Sequence, residues 1–255
     1  MDRITILGMG PVGASIGLAL KRVGFKETEI VGTDFDRAKL KNAEDIRAVD
    51  WTSDDINAAL DGSNLVVIDQ SIRNLETLFR EIGCSVKSGC VITDTGRIKA
   101  YASSLADEYL PDGIAYVGGR PLLRQSNLTM MDASASLFET VDYCVIPSES
   151  ADKEAVLTVV SMVETIGANP FFIDAKEHDT FDSAVRDLPI ILSNAFVTVI
   201  SLSPSWREMS RLAAEEFSSC SYLSTYDPQD SSLSCLLNGE SLRSWIDRII
   251  AELCN

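Results

Sequence analysis

The sequence predicts an α/β protein, a doubly wound and mostly parallel sheet followed by a small all-helical domain. Three observations carry this. A glycine-rich turn stands between a short apolar run and a helical segment at the start of the chain. Short apolar runs then alternate with helical stripes as far as Ile173, the pattern of βαβ units. From Lys176 onward no strand pattern remains and the apolar spacing is helical throughout. The domains are therefore expected at 1–174, binding a dinucleotide, and 175–255, helical, for dimerisation and substrate.

The opening turn is the most informative stretch. Ile4-Thr5-Ile6-Leu7 reads as a buried parallel strand. Gly8-Met9-Gly10-Pro11-Val12-Gly13 follows, and Ala14 to Leu20 reads as helix. In G-x-G-x-x-G the first glycine allows the tight turn, the second lets backbone approach a diphosphate, and the third lets helix pack on strand. The free N–H groups of the helix start then face the phosphates. A second strand, Glu29 to Thr33, ends in Asp34, 21 residues after Gly13, where an acidic residue meets ribose hydroxyls. This spacing predicts a Rossmann-type domain that binds NAD. A carboxylate at 34 would repel the 2′-phosphate of NADP, although Arg37 is close enough in sequence to soften that preference.

The remaining elements follow in order. A polar helix is expected over Asp36 to Asp45, a short strand near Ala48 to Trp51, and a short helix from Asp54 to Leu60 with Ser53 as N-cap. Strands are expected at 64–68, 89–93, 114–117, 143–146 and 170–173. Helices are expected at 73–82, 100–109 and 153–166. Apolar residues from Phe181 to Ile200 form one long helical face, which Pro189 should kink near Val185. Ser218 to Ser234, rich in Ser, Asp and Tyr, reads as loop, and Leu242 to Leu253 as a final amphipathic helix. So small a helical domain cannot bury all its apolar positions alone, which predicts a homodimer through the C-terminal helices.

Composition narrows the partners. A net charge of −16 argues against nucleic acid and against an anionic membrane. No apolar run is expected to reach the length of a membrane span, and the chain enters its first strand without a signal-peptide pattern. The six cysteines are scattered with no C-x-x-C pair, which predicts reduced thiols in a cytoplasmic protein. His178 is the single histidine, so no histidine-based metal site is expected. Its plain reading is a helix-start residue. Asn127-Leu128-Thr129 matches a glycosylation sequon, read as incidental in a chain of this kind.

The order of these pieces resembles the prephenate dehydrogenase family, which includes the arogenate dehydrogenases. The stretches that carry the resemblance are ITILGMGPVGASIGLALK, VGTDFDRAKLKNA, SNLVVIDQS, SGCVITDTGRIKA, LPDGIAYVGGRP, ASLFETVDYCVIP and EHDTFDSAVRDLP. The resemblance implies a dinucleotide-binding domain, a helical dimerisation domain, and NAD(P)-dependent oxidative decarboxylation of prephenate or arogenate. Lys99 falls at a family lysine position, which implies orienting the loop or the ligand. Asp94, at a strand's C-terminal end, is in the region of a ligand site in this fold class or caps the following turn. Asp69 and Gln70, where the family usually reads A-V-P, are expected beside the cofactor.

Several positions depart from the family pattern. The histidine of V-G-G-H-P is Arg120, and the serine that orients it is Arg97. S-H-L-P-H appears as Arg186-Asp187-Leu188-Pro189-Ile190, and the substrate-gripping arginine falls, on a loose alignment, at Tyr222. Arginine stays protonated and does not serve as the base that takes a hydroxyl proton, but it binds carboxylates bidentately. The sequence therefore points to an oxidoreductase for a small anionic substrate gripped by Arg97, Arg120, Arg124 and Arg186, with Asp69, Lys99, Asp187 or Tyr222 as proton carriers. The alternative is an NAD-binding protein that has lost redox chemistry and serves regulation.

Overall fold

The computed structural model describes residues 2–24, 28–125, 128–226 and 228–255; Asn127 of the sequon lies outside them. The chain divides into two compact units, Met1–Ala175 and Lys176–Asn255.

The first unit is built on an eight-stranded sheet of order β3-β2-β1-β4-β5-β6-β7-β8. The strands are β1 (Asp2–Leu7), β2 (Thr28–Thr33), β3 (Trp51–Ser53), β4 (Leu65–Ile68), β5 (Val91–Asp94), β6 (Ala115–Pro121), β7 (Asp142–Pro147) and β8 (Asn169–Phe172). The first six run parallel; β7 is antiparallel to β6, and β8 is parallel to β7. Every residue of β4 and β5 is buried, as continuous apolar runs covered on both faces should be. Helices α1 (Pro11–Val23), α2 (Arg37–Asp45) and α6 (Lys153–Thr165) contribute to one core with Ile6, Val67, Val117 and Val145. Helices α4 (Leu75–Ser85) and α5 (Lys99–Tyr109) build a second core with Leu7, Val66, Ile92 and Tyr116. Two cores on opposite faces make the sheet doubly wound. The strand order reverses between β1 and β4, so a crevice for ligands opens beyond their C-terminal ends.

The short helix α3 (Ile56–Leu60) starts later than expected. Its N-cap is Asp55, whose carboxylate accepts from Asn57 N–H at 3.0 Å; Ser53 instead accepts from Asp55 N–H.

The second unit is helical. A composite helix runs from α7 (Ala175–Asp182) through a π turn at Ser183–Asp187 into α8 (Leu188–Ser201). Pro189 has no N–H for the carbonyl of Val185, and the chain answers with a wider turn in which Leu188 N–H reaches Ser183 O. After the short α9 (Trp206–Met209), the stretch expected as loop is instead α10 (Glu215–Ser221), a 3₁₀ turn at Tyr222–Thr225, and α11 (Pro228–Leu237). Backbone groups of this stretch meet a buried hydroxyl on α8. Ser193 Oγ donates to Cys220 O at 2.7 Å and accepts from Ser224 N–H at 3.1 Å. Composition alone carries no trace of such pairings. The last helix, α12 (Gly239–Leu253), follows.

The composite helix 175–201 also corrects the reading on membrane spans. By length and composition it is long and apolar enough to cross one. It carries the buried polar groups Asp187 and Ser193, which have hydrogen-bond partners within their own unit, while Val185 and Val199 on it are exposed.

Candidate functional site

The turn after β1 is held by backbone geometry that only glycine tolerates. Gly8 has φ +111°, and a Cβ there would stand 1.9 Å from the carbonyl oxygen of Asp69. A Cβ on Gly13 would stand 2.0 Å from Gly8 O, so α1 lies directly on the turn. Pro11 occupies the first helical turn, where its missing N–H costs nothing. Met9 turns its side chain into the core and offers only its N–H to the site. That N–H donates to Asp34 Oδ2 at 2.8 Å, while Asp34 Oδ1 accepts from Asp36 N–H at 2.9 Å. Lys39 Nζ lies 3.7 Å from Asp34. Gly8, Asp34, Phe35, Asp54 and Gln70 line a small hollow of about 90 Å³ at the end of β2. Arg37 does not turn toward Asp34; its guanidinium pairs with Asp54 at 2.6 Å.

Asp69 follows β4 and faces the start of α1. Its Oδ2 accepts from Gly13 N–H at 2.8 Å, and its Oδ1 accepts from the Thr95 hydroxyl at 2.5 Å. Burial pushes the Asp69 carboxyl above the usual carboxylate range, against these two hydrogen bonds.

Asp94 and Lys99 form a buried knot at the end of β5. Lys99 Nζ lies 2.6 Å from Asp94 Oδ2 and donates to Gly119 O at 2.7 Å. Asp94 also accepts from Gly96 N–H at 3.0 Å, Gly119 N–H at 3.1 Å and the Tyr116 hydroxyl at 2.8 Å. Both charges are fully buried. Asp94, expected beside the cofactor, and Lys99, expected as a proton carrier, thus stand together in one buried ion pair. The knot ties the turn that bears Arg97 to the strand that bears Arg120. Arg120 stands on β6 opposite Cys144, and both arginines are half-buried.

The remaining predicted residues are each described within their own unit. Arg124 is exposed and lines a different hollow with Leu122, Leu137, Glu139 and Thr140. Asp187 belongs to the helical unit, where it is buried and accepts from Ser234 Oγ at 3.0 Å and Asn238 Nδ2 at 3.3 Å. His178, in the same unit, is buried with its Nδ1 2.9 Å from Asp179. Tyr222 is exposed, edge-on to Tyr226. Among the described residues no group of three or more His, Cys, Asp or Glu side chains could hold a metal ion. Thr95, Tyr116 and Gly119 escaped the sequence reading, because only the strand register brings them to Asp69 and Asp94.

Residues 16–171, more than half of the chain, match the family model described as prephenate dehydrogenase, nucleotide-binding domain. The chain belongs to this family. The prephenate dehydrogenase of Bacillus subtilis (strain 168) is 27% identical over 199 residues, covering 77% of this chain and 53% of that one. The cyclohexadienyl dehydrogenase of Zymomonas mobilis is 22% identical over 254 residues, covering 98% of this chain and 85% of that one. The chain spans about half the length of the Bacillus and Lactococcus relatives it matches. Among solved structures, the prephenate dehydrogenase from A. aeolicus in complex with hydroxyphenyl propionate and NAD+ superposes with a TM-score of 0.89 at 22% identity, covering 99% of this chain and 88% of that one. That likeness establishes the shared fold.

The residues of this prephenate dehydrogenase-type domain fit the adenosine half of a dinucleotide. The turn is bare where backbone must approach a ligand, and Asp34 stands at the end of β2 beside a hollow. The diphosphate half differs, since a carboxylate already sits on Gly13.

Proposed function

We propose that this chain is an NAD-dependent oxidoreductase that acts on a small carboxylate-bearing substrate and works as a homodimer. The observation that carries it is the pairing of a glycine turn and Asp34 at the β1/β4 crevice with two arginines held by the Asp94–Lys99 knot at the ends of β5 and β6. Bound NAD would exchange hydride with the substrate. Met9 N–H and Asp34 would orient the ribose end, with NAD favoured over NADP. Arg120 and Arg97 would hold the carboxylate. The buried ammonium of Lys99 keeps both segments in register rather than moving a proton.

Arginine at 120 supplies no base for a ring hydroxyl, so prephenate itself is a poor candidate substrate. The test follows absorbance at 340 nm with NAD and prephenate, arogenate or small hydroxy acids. The expected result is turnover of a carboxylate substrate whose KM rises roughly 10- to 100-fold in Arg120→Ala, the scale of a lost charge-assisted hydrogen bond. NADH binding without turnover of any substrate would favour instead a regulatory protein that senses the nucleotide, a reading supported by arginines at 97, 120 and 186 in place of the family's residues.

A further inference from the structure

We propose that Asp69 is a built-in anion at the phosphate end of the nucleotide crevice, which must be neutralised or displaced before a diphosphate can bind. The proposal rests on the dinucleotide reading above and specifies how that site is governed.

The backbone leaves Asp69 little freedom. Its N–H donates to Leu7 O at 2.7 Å, and its carbonyl oxygen is the atom that a Cβ on Gly8 would strike. The side chain is thereby aimed across the turn at α1. Its Oδ2 would be 3.6 Å from a Cβ on Gly10 and 3.2 Å from one on Gly13. The N-cap Gly10 has no side chain to cap the helix, so Asp69 supplies the acceptor for Gly13 N–H. An anion is stabilised there by the free N–H groups and the helix dipole, and the same place attracts a ligand phosphate. With Asp34 on Met9 N–H, carboxylates accept from two N–H groups of the turn. A diphosphate entering this turn meets a like charge at contact distance in a partly desolvated site, where repulsion is far stronger than in water.

The groups that face Asp69 come from several elements. Thr95 reaches it from the β5–α5 turn and Gly13 from α1, while Lys39 on α2 and Asp34 at the end of β2 act through their charges. Tyr143 on β7 is fully buried, and Asp69 is one of the charges that hold its hydroxyl neutral. Gln70 adjoins along the chain. Burial and, to a smaller degree, Asp34 push the Asp69 carboxyl upward; Thr95, Gly13 and Lys39 oppose them. The neutral acid is therefore reached at a higher pH than for an ordinary aspartate. Affinity for a diphosphate should rise as pH falls, whereas adenosine, which carries no phosphate, should be indifferent.

The experiment is calorimetric titration of the full chain with ADP-ribose and with adenosine, from about pH 5.5 to 8.5. Wild type is compared with Asp69→Asn, which keeps an acceptor for Gly13, and Asp69→Ala, with melting temperatures to show that each is folded. Both variants should bind ADP-ribose at least about tenfold more tightly than wild type at pH 8, a difference of roughly 1.4 kcal/mol. That gap should close toward low pH, and adenosine affinity should not change. Binding in the variants alone would support the proposal equally. ADP-ribose affinity that is equal or weaker in folded variants would overturn it and leave the dinucleotide reading standing. Failure of every form to bind either ligand would overturn both.

Discussion

The two units treat their buried polar groups differently. In the sheet unit the Asp94–Lys99 pair is wholly enclosed, and Asp94 has four donors. In the helical unit Asp187 and Ser193 are also buried, with hydroxyls, an amide and backbone groups among their partners, and His178 stands against Asp179. The apolar surface differs as well. The two cores of the sheet unit cover its central strands, whereas the helical unit leaves Val185, Val199 and Leu202 each more than 70% exposed. A closed unit can be rigid by itself and hold a site. An open one is completed by something that covers it, and a second copy of the chain is the proposed cover.

Three substitutions sharpen this contrast. The largest effect is expected from Lys99→Met, which leaves the Asp94 charge buried without its ammonium. Loss of about 3–5 kcal/mol is expected, read from urea unfolding of the sheet unit. Ser193→Ala removes the clasp on Cys220 and Ser224 and should cost about 1–2 kcal/mol, with the first unfolding transition shifting and the sheet unit unaffected. Val199→Asp places a charge on the exposed apolar face. It should hardly change the stability of the isolated fold, but it should convert a dimer to a monomer in light scattering. A wild-type chain that is monomeric at all concentrations would break the comparison, since the open face would then need no cover.

Much of the sheet unit could be read from the chain because β1, β4 and β5 are apolar runs that end at Gly8, Asp69 and Asp94, each with its own local signal. The glycine turn and Asp34 were legible for the same reason. The hydrogen-bond partners of Asp69, Asp94 and Lys99 were not. Each depends on which strands stand side by side, a property of pairing between segments distant in sequence. Arg124 was expected to grip the anion with Arg97 and Arg120, yet the turn after β6 carries it to another hollow. The helical unit was read least well. Ser218 to Ser234 has the composition of a loop, and it becomes helix because Ser224 and Ser234 find buried partners on α8 and at Asp187. Pro189 was the exception. Its missing N–H is a local fact, and the π turn before it is the local consequence.

The carboxylate on Gly13 carries one more implication. A bound diphosphate adds negative charge beside Asp69 and so favours its protonated form further. Binding should then draw a proton from solution, and the heat of binding should change with the ionisation enthalpy of the buffer. By linkage, the occupancy of such a crevice is set jointly by nucleotide concentration and by proton activity. A single aspartate at the mouth of a helix would thus let acidification of its surroundings load the protein at constant cofactor supply.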